Sequence, residues 1–220
     1  MSKTIKALIA VRSGSLRVKN KNIAPFANSS LLEIKIKQLL EVPELDGIIV
    51  NSNDDAMLDI ATNLGVETVK PEEYFATSEV SPNELYVNIA QNFIPDVMVF
   101  ANATNPLLLP KTVSECIKKF NNLKEHDSVN TVNYVKEFLW EDGKAINYNP
   151  DEKPRSQDLP DIVSINHAVN VIDKNLMIEC RDIFGYKPYL YPIDKIEATD
   201  IDDMFDFQYA EFMYKKLRMH

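Results

Sequence analysis

The chain has 220 residues, 45% of them apolar, which suits one domain over 1–220 with a modest insertion. Its formal net charge of −9 argues against nucleic acid as a partner, because phosphate backbones need a basic surface. The longest apolar runs are strand-length, so no membrane span or membrane partner is expected, and Cys116 and Cys180 lie too far apart for a disulfide framework or zinc site.

Met1 to Val11 lacks the long apolar region of a signal peptide, and a reducing cytoplasm is the expected location. Ile5 to Val11 reads as a buried first strand, and Leu31 to Leu40 carries apolar residues at helical spacing. Gly47 to Val50 reads as a second strand, Asp54 to Leu64 as a helix closed by Gly65, and Val66 to Val69 as a short third strand. Asn83 to Phe93 is predicted helical, Val97 to Ala101 a strand, and Pro110 opens a helix with Cys116, Ile117 and Phe120 inward. Ser128 to Val135 is again strand-like. The segment from Lys136 to Pro160, rich in Asn, Asp, Lys and Pro, breaks the pattern and reads as an insertion with a hairpin at Glu141-Asp142-Gly143. His167 to Val171 returns as a strand. Asp202 to Leu217 is a last amphipathic helix, with Phe205, Tyr209, Phe212, Met213 and Leu217 on its apolar side. Strands alternating with helices at this spacing predict an α/β domain: a three-layer αβα arrangement with a mainly parallel sheet.

In such a sheet, ligands bind at the carboxyl ends of strands, so the loop after the first strand is the place to look. It runs Val11-Arg12-Ser13-Gly14-Ser15-Leu16-Arg17-Val18-Lys19-Asn20-Lys21-Asn22 and lacks both the GxGxxG and GxxxxGK[ST] fingerprints. It offers instead small residues whose amides can approach phosphates, plus four cations. Six basic residues precede the first acid, Glu33, so a basic segment stands in an acidic protein. A solvated basic loop is the plain alternative. At the other end, Glu197 to Asp206 holds five acids in ten residues. Asp200 and Asp202 alternate along an extended segment, which points both carboxylates to one side, where a divalent cation would neutralise them. Capping of the last helix explains part of this cluster, Asp203 and Asp206 above all.

These two segments resemble the acylneuraminate cytidylyltransferase family. Its first-loop pattern, R-x-G-S-K-G-x-P-x-K-N, is matched at Arg12, Gly14, Ser15, Lys21 and Asn22, while Leu16, Arg17 and Lys19 replace Lys, Gly and Pro. The family's D-x-D is Asp200-Ile201-Asp202, followed by a helix with Asp206 and Ala210-Glu211. The resemblance implies a Rossmann-like nucleotidyltransferase fold that transfers CMP from CTP with Mg²⁺ and releases pyrophosphate. It implies catalytic roles for Arg12, Lys21, Asp200 and Asp202, with the two aspartates as metal ligands. It places Val11, Arg12, Gly14, Ser15, Lys21 and Asn22 on the nucleotide, with Lys70, Val80 and Ser81 near the base. Acceptor contacts fall on Asn102, Thr104, Arg155, Gln157 and Asn166. Family homodimers imply a dimer contact in the insertion, about 136–163, where Phe138, Leu139 and Trp140 offer apolar surface; a local core is the alternative.

The acceptor motifs depart from the pattern. Q-P-T-S-P-L-R has become Asn102-Ala103-Thr104-Asn105-Pro106-Leu107-Leu108, and N-G-A-I-Y has become Asn166-His167-Ala168-Val169-Asn170. A small anionic acceptor is expected, either a sialic-type sugar acid or a phosphorylated small molecule. The second choice resembles the CTP:phosphoglutamine cytidylyltransferase branch of bacterial capsule modification. A catalytically silent nucleotide-binding paralogue and a nucleotide-sugar glycosyltransferase remain as other classes. A lone strand histidine such as His167 is more often structural than functional, and His126 and His220 show no partner pattern.

Overall fold

A computed structural model of the protein describes all residues except Met1, Ser2, Leu16, Ser78, Phe93 and His220. Expectations that rest on Leu16, Phe93 and His220 therefore lie outside the described residues. The first half follows a strand–helix rhythm: β1 (Ile5–Ala10), α1 (Leu31–Leu40), β2 (Gly47–Asn51), α2 (Asp55–Asn63), β3 (Glu67–Val69), α3 (Pro82–Asn92), β4 (Val97–Ala101) and α4 (Pro110–Asn121). Local signals explain these boundaries. Ser30 caps α1 by accepting from the Glu33 amide, Asp54 caps α2 through the amides of Ala56 and Met57, and Pro110 opens α4 where no amide donor is needed.

The second half holds β5 (Ser128–Val135), a small hairpin of β6 (Trp140–Glu141) and β7 (Lys144–Ala145), β8 (Ile162–Asp173), α5 (Lys174–Cys180), β9 (Pro188–Pro192) and α6 (Met204–Arg218). The hairpin turns where the sequence places it, with Asp142 and Gly143 both at positive φ, as its two-residue turn requires. Seven strands form one sheet in the order β3-β2-β1-β4-β8-β5-β9, parallel except for β8, which runs antiparallel to both neighbours. Helices cover both faces. One core packs α1, α2, α4 and α6 against the sheet around Leu31, Ile36, Met57, Val113 and Phe207; the other packs α3 and α5 around Ile89, Phe100 and Met177. Among the described residues no helix is long and apolar enough to cross a membrane.

In three respects the elements differ from the sequence reading. The strand foreseen at His167 to Val171 extends over twelve residues, Ile162–Asp173. The strand β9 and the short helix α5 were not foreseen; Pro188 and Pro192 bracket β9, and such a strand is tolerated here because it lies at the sheet edge. The third correction concerns α6. Its inward side is Phe207, Ala210 and half-buried Tyr214, with Phe26 stacked edge-on against Phe207 at 5.2 Å and against Tyr214 at 5.7 Å. Phe205, Tyr209 and Phe212, expected to face inward, point to solvent, Phe205 with 75% of its surface exposed. Their i, i+4, i+7 spacing marks one helical face correctly, but two aromatic stripes share this helix and spacing does not choose between them.

Candidate active site

The carboxyl ends of β1, β2 and β4 lie on one edge of the sheet, and the basic loop leaves from β1 there. Its φ of +86° at Gly14 is a backbone state that side chains rarely adopt, which explains a glycine at the tight point of the loop. Asn53, just beyond β2, pins the loop: its Oδ1 accepts from the Ser13 amide at 3.1 Å and its Nδ2 donates to Ser13 Oγ at 3.1 Å. Lys21 donates to the Ile201 carbonyl, and Arg17 donates to Asp202 Oδ1 at 2.9 Å. The start and the end of the chain therefore meet, as the charge pattern suggested. The cleft between them holds about 310 Å³ and is lined by Arg12, Gly14, Ser15, Arg17, Val18, Lys21 and Asp202.

The aspartate segment is held from below. Ile201 is fully buried and its amide donates to the Thr104 carbonyl at 3.0 Å; of the aspartates on either side, Asp202 lines the cleft and Asp200 does not. Asp200 is half-buried, and its Oδ1 is shielded from solvent without any hydrogen-bond partner. Burial lifts the Asp200 carboxyl above its ordinary value and repulsion from Asp202 adds to this, while the neighbouring Thr104 side chain and the charge of Lys21 oppose it. An orphaned carboxylate oxygen beside a second carboxylate is a donor set suited to a hard divalent cation. Among the described residues no group of three or more His, Cys, Asp or Glu side chains gathers to hold a metal. Mg²⁺ takes one or two protein carboxylates and completes its shell with water and phosphate oxygens. Asp203 and Asp206 have the capping roles foreseen for them: Asp203 Oδ1 accepts from the amides of Phe205 and Asp206, and Asp206 reaches back to the Asp203 amide.

Beyond Arg12 a second space opens. Arg12 Nη1 donates to the Thr77 carbonyl at 2.9 Å, and a pocket of about 210 Å³ lies between Val11, Asn51, Asn53, Pro71, Phe75 and Ile89. It is apolar on its α3 side and has two asparagines and backbone on the other. A wider depression reached past Asn53, Pro71 and Ala76 includes Lys70, whose ammonium is paired with Asp55 at 2.6 Å. Not every expected nucleotide contact lines these spaces. Asn22 is buried, its carbonyl accepting from the Leu32 amide. Val80 and Ser81 sit at the entry to α3, where Ser81 exchanges hydrogen bonds with Glu84.

The residues expected at the acceptor are scattered. Asn102 and Thr104 follow β4 at the carboxyl edge of the sheet, outside the lining of the cleft. Asn166 is buried and its amide is spent internally: Oδ1 accepts from Thr131 Oγ1 at 2.8 Å and from the Ala168 amide at 3.2 Å, and Nδ2 donates to Asn133 Oδ1 at 3.4 Å. These bonds hold a bulge in which residues 166–169 of β8 lie opposite Thr131. His167 occupies that bulge at φ 54°, in the position where the family pattern has glycine, with its ring 5.4 Å from that of Phe184. Next to it, buried Asn170 donates to buried Asn130 at 2.6 Å. Arg155 and Gln157 lie exposed in the insertion, with Arg155 paired to Asp158 at 2.7 Å, and neither belongs to the lining of the cleft. Motif spacing gave no sign of Asn53 or of Thr77, since one acts through a cross-loop amide and the other through its backbone.

A seven-stranded α/β sheet with a cation-lined cleft at its carboxyl edge defines a Rossmann-like nucleotidyltransferase. The fold is shared with 4-diphosphocytidyl-2C-methyl-D-erythritol synthase of Anaerococcus prevotii, which superposes with a TM-score of 0.72 over 97% of this chain and 99% of that one, at 15% identity. The family model described as cytidylyltransferase matches residues 6–179, and the chain belongs to that family. Pseudaminic acid cytidylyltransferase of Campylobacter jejuni is 25% identical over 221 residues, covering 94% of this chain and 95% of its own. N-acylneuraminate cytidylyltransferase of Escherichia coli is also 25% identical, covering 98% of this chain and 53% of its own. The protein is therefore an enzyme that uses CTP as a cytidylyl donor.

Proposed function

We propose that the protein transfers CMP from CTP to a small anionic acceptor, with Arg12, Lys21, Asp200 and Asp202 as the catalytic set. The observation that carries this reading is the meeting of the β1 loop with the aspartate segment across a cleft of triphosphate size. The acceptor oxygen attacks the α-phosphorus in line, the α–β phosphoanhydride bond breaks, and pyrophosphate leaves; a hydroxyl acceptor gives up its proton, whereas a phosphate acceptor needs none. Arg12 and Lys21 neutralise charge gathering on the phosphate oxygens, and the amides at Gly14 and Ser15 approach those oxygens closely. Asp200 and Asp202 would hold Mg²⁺, which when bound neutralises triphosphate charge and fixes its orientation. The pocket beyond Arg12 takes the pyrimidine, with Lys70 at its outer rim.

For the acceptor, the printed names of two relatives favour nine-carbon sugar acids. The departures from the family pattern at His167, Asn170 and Leu108 favour something else. We take the alternative acceptor to be a phosphorylated small molecule, as the phosphoglutamine reading holds. We further propose a cytoplasmic homodimer with a role in surface-polysaccharide synthesis, contacting through the insertion, where Trp140 and Ile146 are exposed at the hairpin. In that dimer Arg155 would serve the partner's acceptor. The decisive measurement is pyrophosphate release from CTP and Mg²⁺ with a panel of sugar acids and small phosphates. Release with one acceptor is expected. Tight CTP binding with no release from any acceptor would overturn the reading in favour of a silent paralogue, and turnover of a nucleotide sugar would overturn it in favour of a glycosyltransferase.

A further inference from the structure

Beneath the aspartate segment lies a charged group that the chemistry above does not use. Lys35 of α1 has no solvent exposure, and its ammonium donates to the Asn105 carbonyl at 2.9 Å. Asn105, equally buried, donates through Nδ2 to the carbonyl of Thr199 at 3.1 Å, one residue before Asp200. The adjoining Thr104 carbonyl receives the Ile201 amide. Glu197 closes the arrangement from the other side: its Oε2 accepts from the Leu109 amide at 3.0 Å and from Thr112 Oγ1 at 2.6 Å. The next two carbonyls of the loop are held as well, Pro106 by Gln38 and Leu107 by Arg218.

This network is an expensive way to fill a core. Burial of the ammonium drives the Lys35 pKa down to about 7, with Glu197 opposing the shift. Asn105 Oδ1 is buried with no partner at all. An apolar side chain of similar length at position 35 would avoid the first cost, since buried ions are often less stabilising than well-packed apolar groups. What an apolar chain cannot do is fix the Asn105 carbonyl, and through the Asn105 amide the backbone of Thr199 to Ile201.

We propose that Lys35, which touches no reactant, is a positioning residue: acting through Asn105, it sets the place of Asp200 and Asp202 against the phosphate cleft. The proposal rests on the reading of those aspartates as metal ligands. Partners one shell behind a metal ligand typically change affinity by about 10–100-fold when removed, and that range sets the expected effect.

The test is Mn²⁺ binding to the full chain without nucleotide, read from the electron paramagnetic resonance of free Mn²⁺. Lys35→Met and Asn105→Ala should each weaken binding by at least about tenfold. The double variant should be no weaker than the worse single one, because the two residues act in series. Lys35→Met should also melt no lower than the parent, which separates lost positioning from lost folding. Should Lys35→Met fail to fold, Asn105→Ala carries the same test, because it cuts the link to Thr199 and leaves the lysine its backbone acceptor. Unaltered Mn²⁺ binding in these variants, with binding lost in Asp200→Asn, overturns the positioning role alone. Undiminished binding in Asp200→Asn overturns the metal reading itself.

Discussion

Asp200 is held at a cost that Thr104 and Lys21 offset in part and that the proposed cation would offset further. Its folded carboxyl sits above its unfolded value, so the native state keeps a proton that the unfolded chain has lost; stability falls as pH rises through that window and the penalty is complete above it. Asp200→Asn removes the penalty. It is expected to melt a few degrees higher at neutral pH by calorimetry, about 2–4 °C per kcal/mol for a domain of this size, while turnover drops by roughly a hundredfold or more. Lys35 gives the opposite slope. Its folded pKa of about 7 lies below that of a free lysine, so the unfolded chain holds the extra proton between the two values. Stability should therefore climb from about pH 7 towards about pH 10, and urea titrations of Lys35→Met should lose that climb. Asp200 and Asp202 stood out in the sequence as candidates, because metal binding demands a residue type at a spacing. The sequence was silent on Lys35, whose carbonyl partner is 70 positions away. A lysine on an amphipathic helix reads as solvent-facing until the fold buries it.

Among the elements, period was legible and orientation was not. The sequence marks α6 as a helix with an aromatic stripe, yet the stripe that packs is Phe207, Ala210 and Tyr214. Phe207→Ala should cost about 3–5 kcal/mol, whereas Phe212→Ser should stay within about 0.5 kcal/mol in chemical denaturation. The reversed direction of β8 could not be read either, since alternation looks the same from both ends. The turn before β9 rests on a contact that sequence hides. Gly185 has φ 72°, and a Cβ there would meet Asp127 Oδ1 at 2.4 Å, the carboxylate that accepts the amides of Tyr186 and Lys187. Gly185→Ala is expected to lower stability by about 1–3 kcal/mol, again seen in urea midpoints.

For the molecule as a whole, charge segregation was the most informative feature of the sequence. A net charge of −9 repels CTP except at the one loop where cations collect. KM for CTP should therefore rise as salt is raised from low to physiological ionic strength, with kcat less affected, in steady-state assays. The two ends of the chain supply the cleft's opposing walls, which explains why neither end alone would disclose a site. The acceptor side was less readable, because its residues depend on a bulge in β8 and on an insertion whose aromatic residues partly satisfy one another: Phe138 stacks on Tyr148 at 4.9 Å, and Trp140 donates to the Tyr148 hydroxyl.

On the proposed reading of the site, the tether from Arg12 to the Thr77 carbonyl links donor identity to reaction speed. Arg12 lines both the pocket proposed for the pyrimidine and the cleft proposed for the phosphates, so a base that seats badly would disturb the side chain proposed to steady the leaving group. Discrimination against UTP should then fall on kcat more than on KM: the wrong nucleotide would be admitted and held, and then left unreacted.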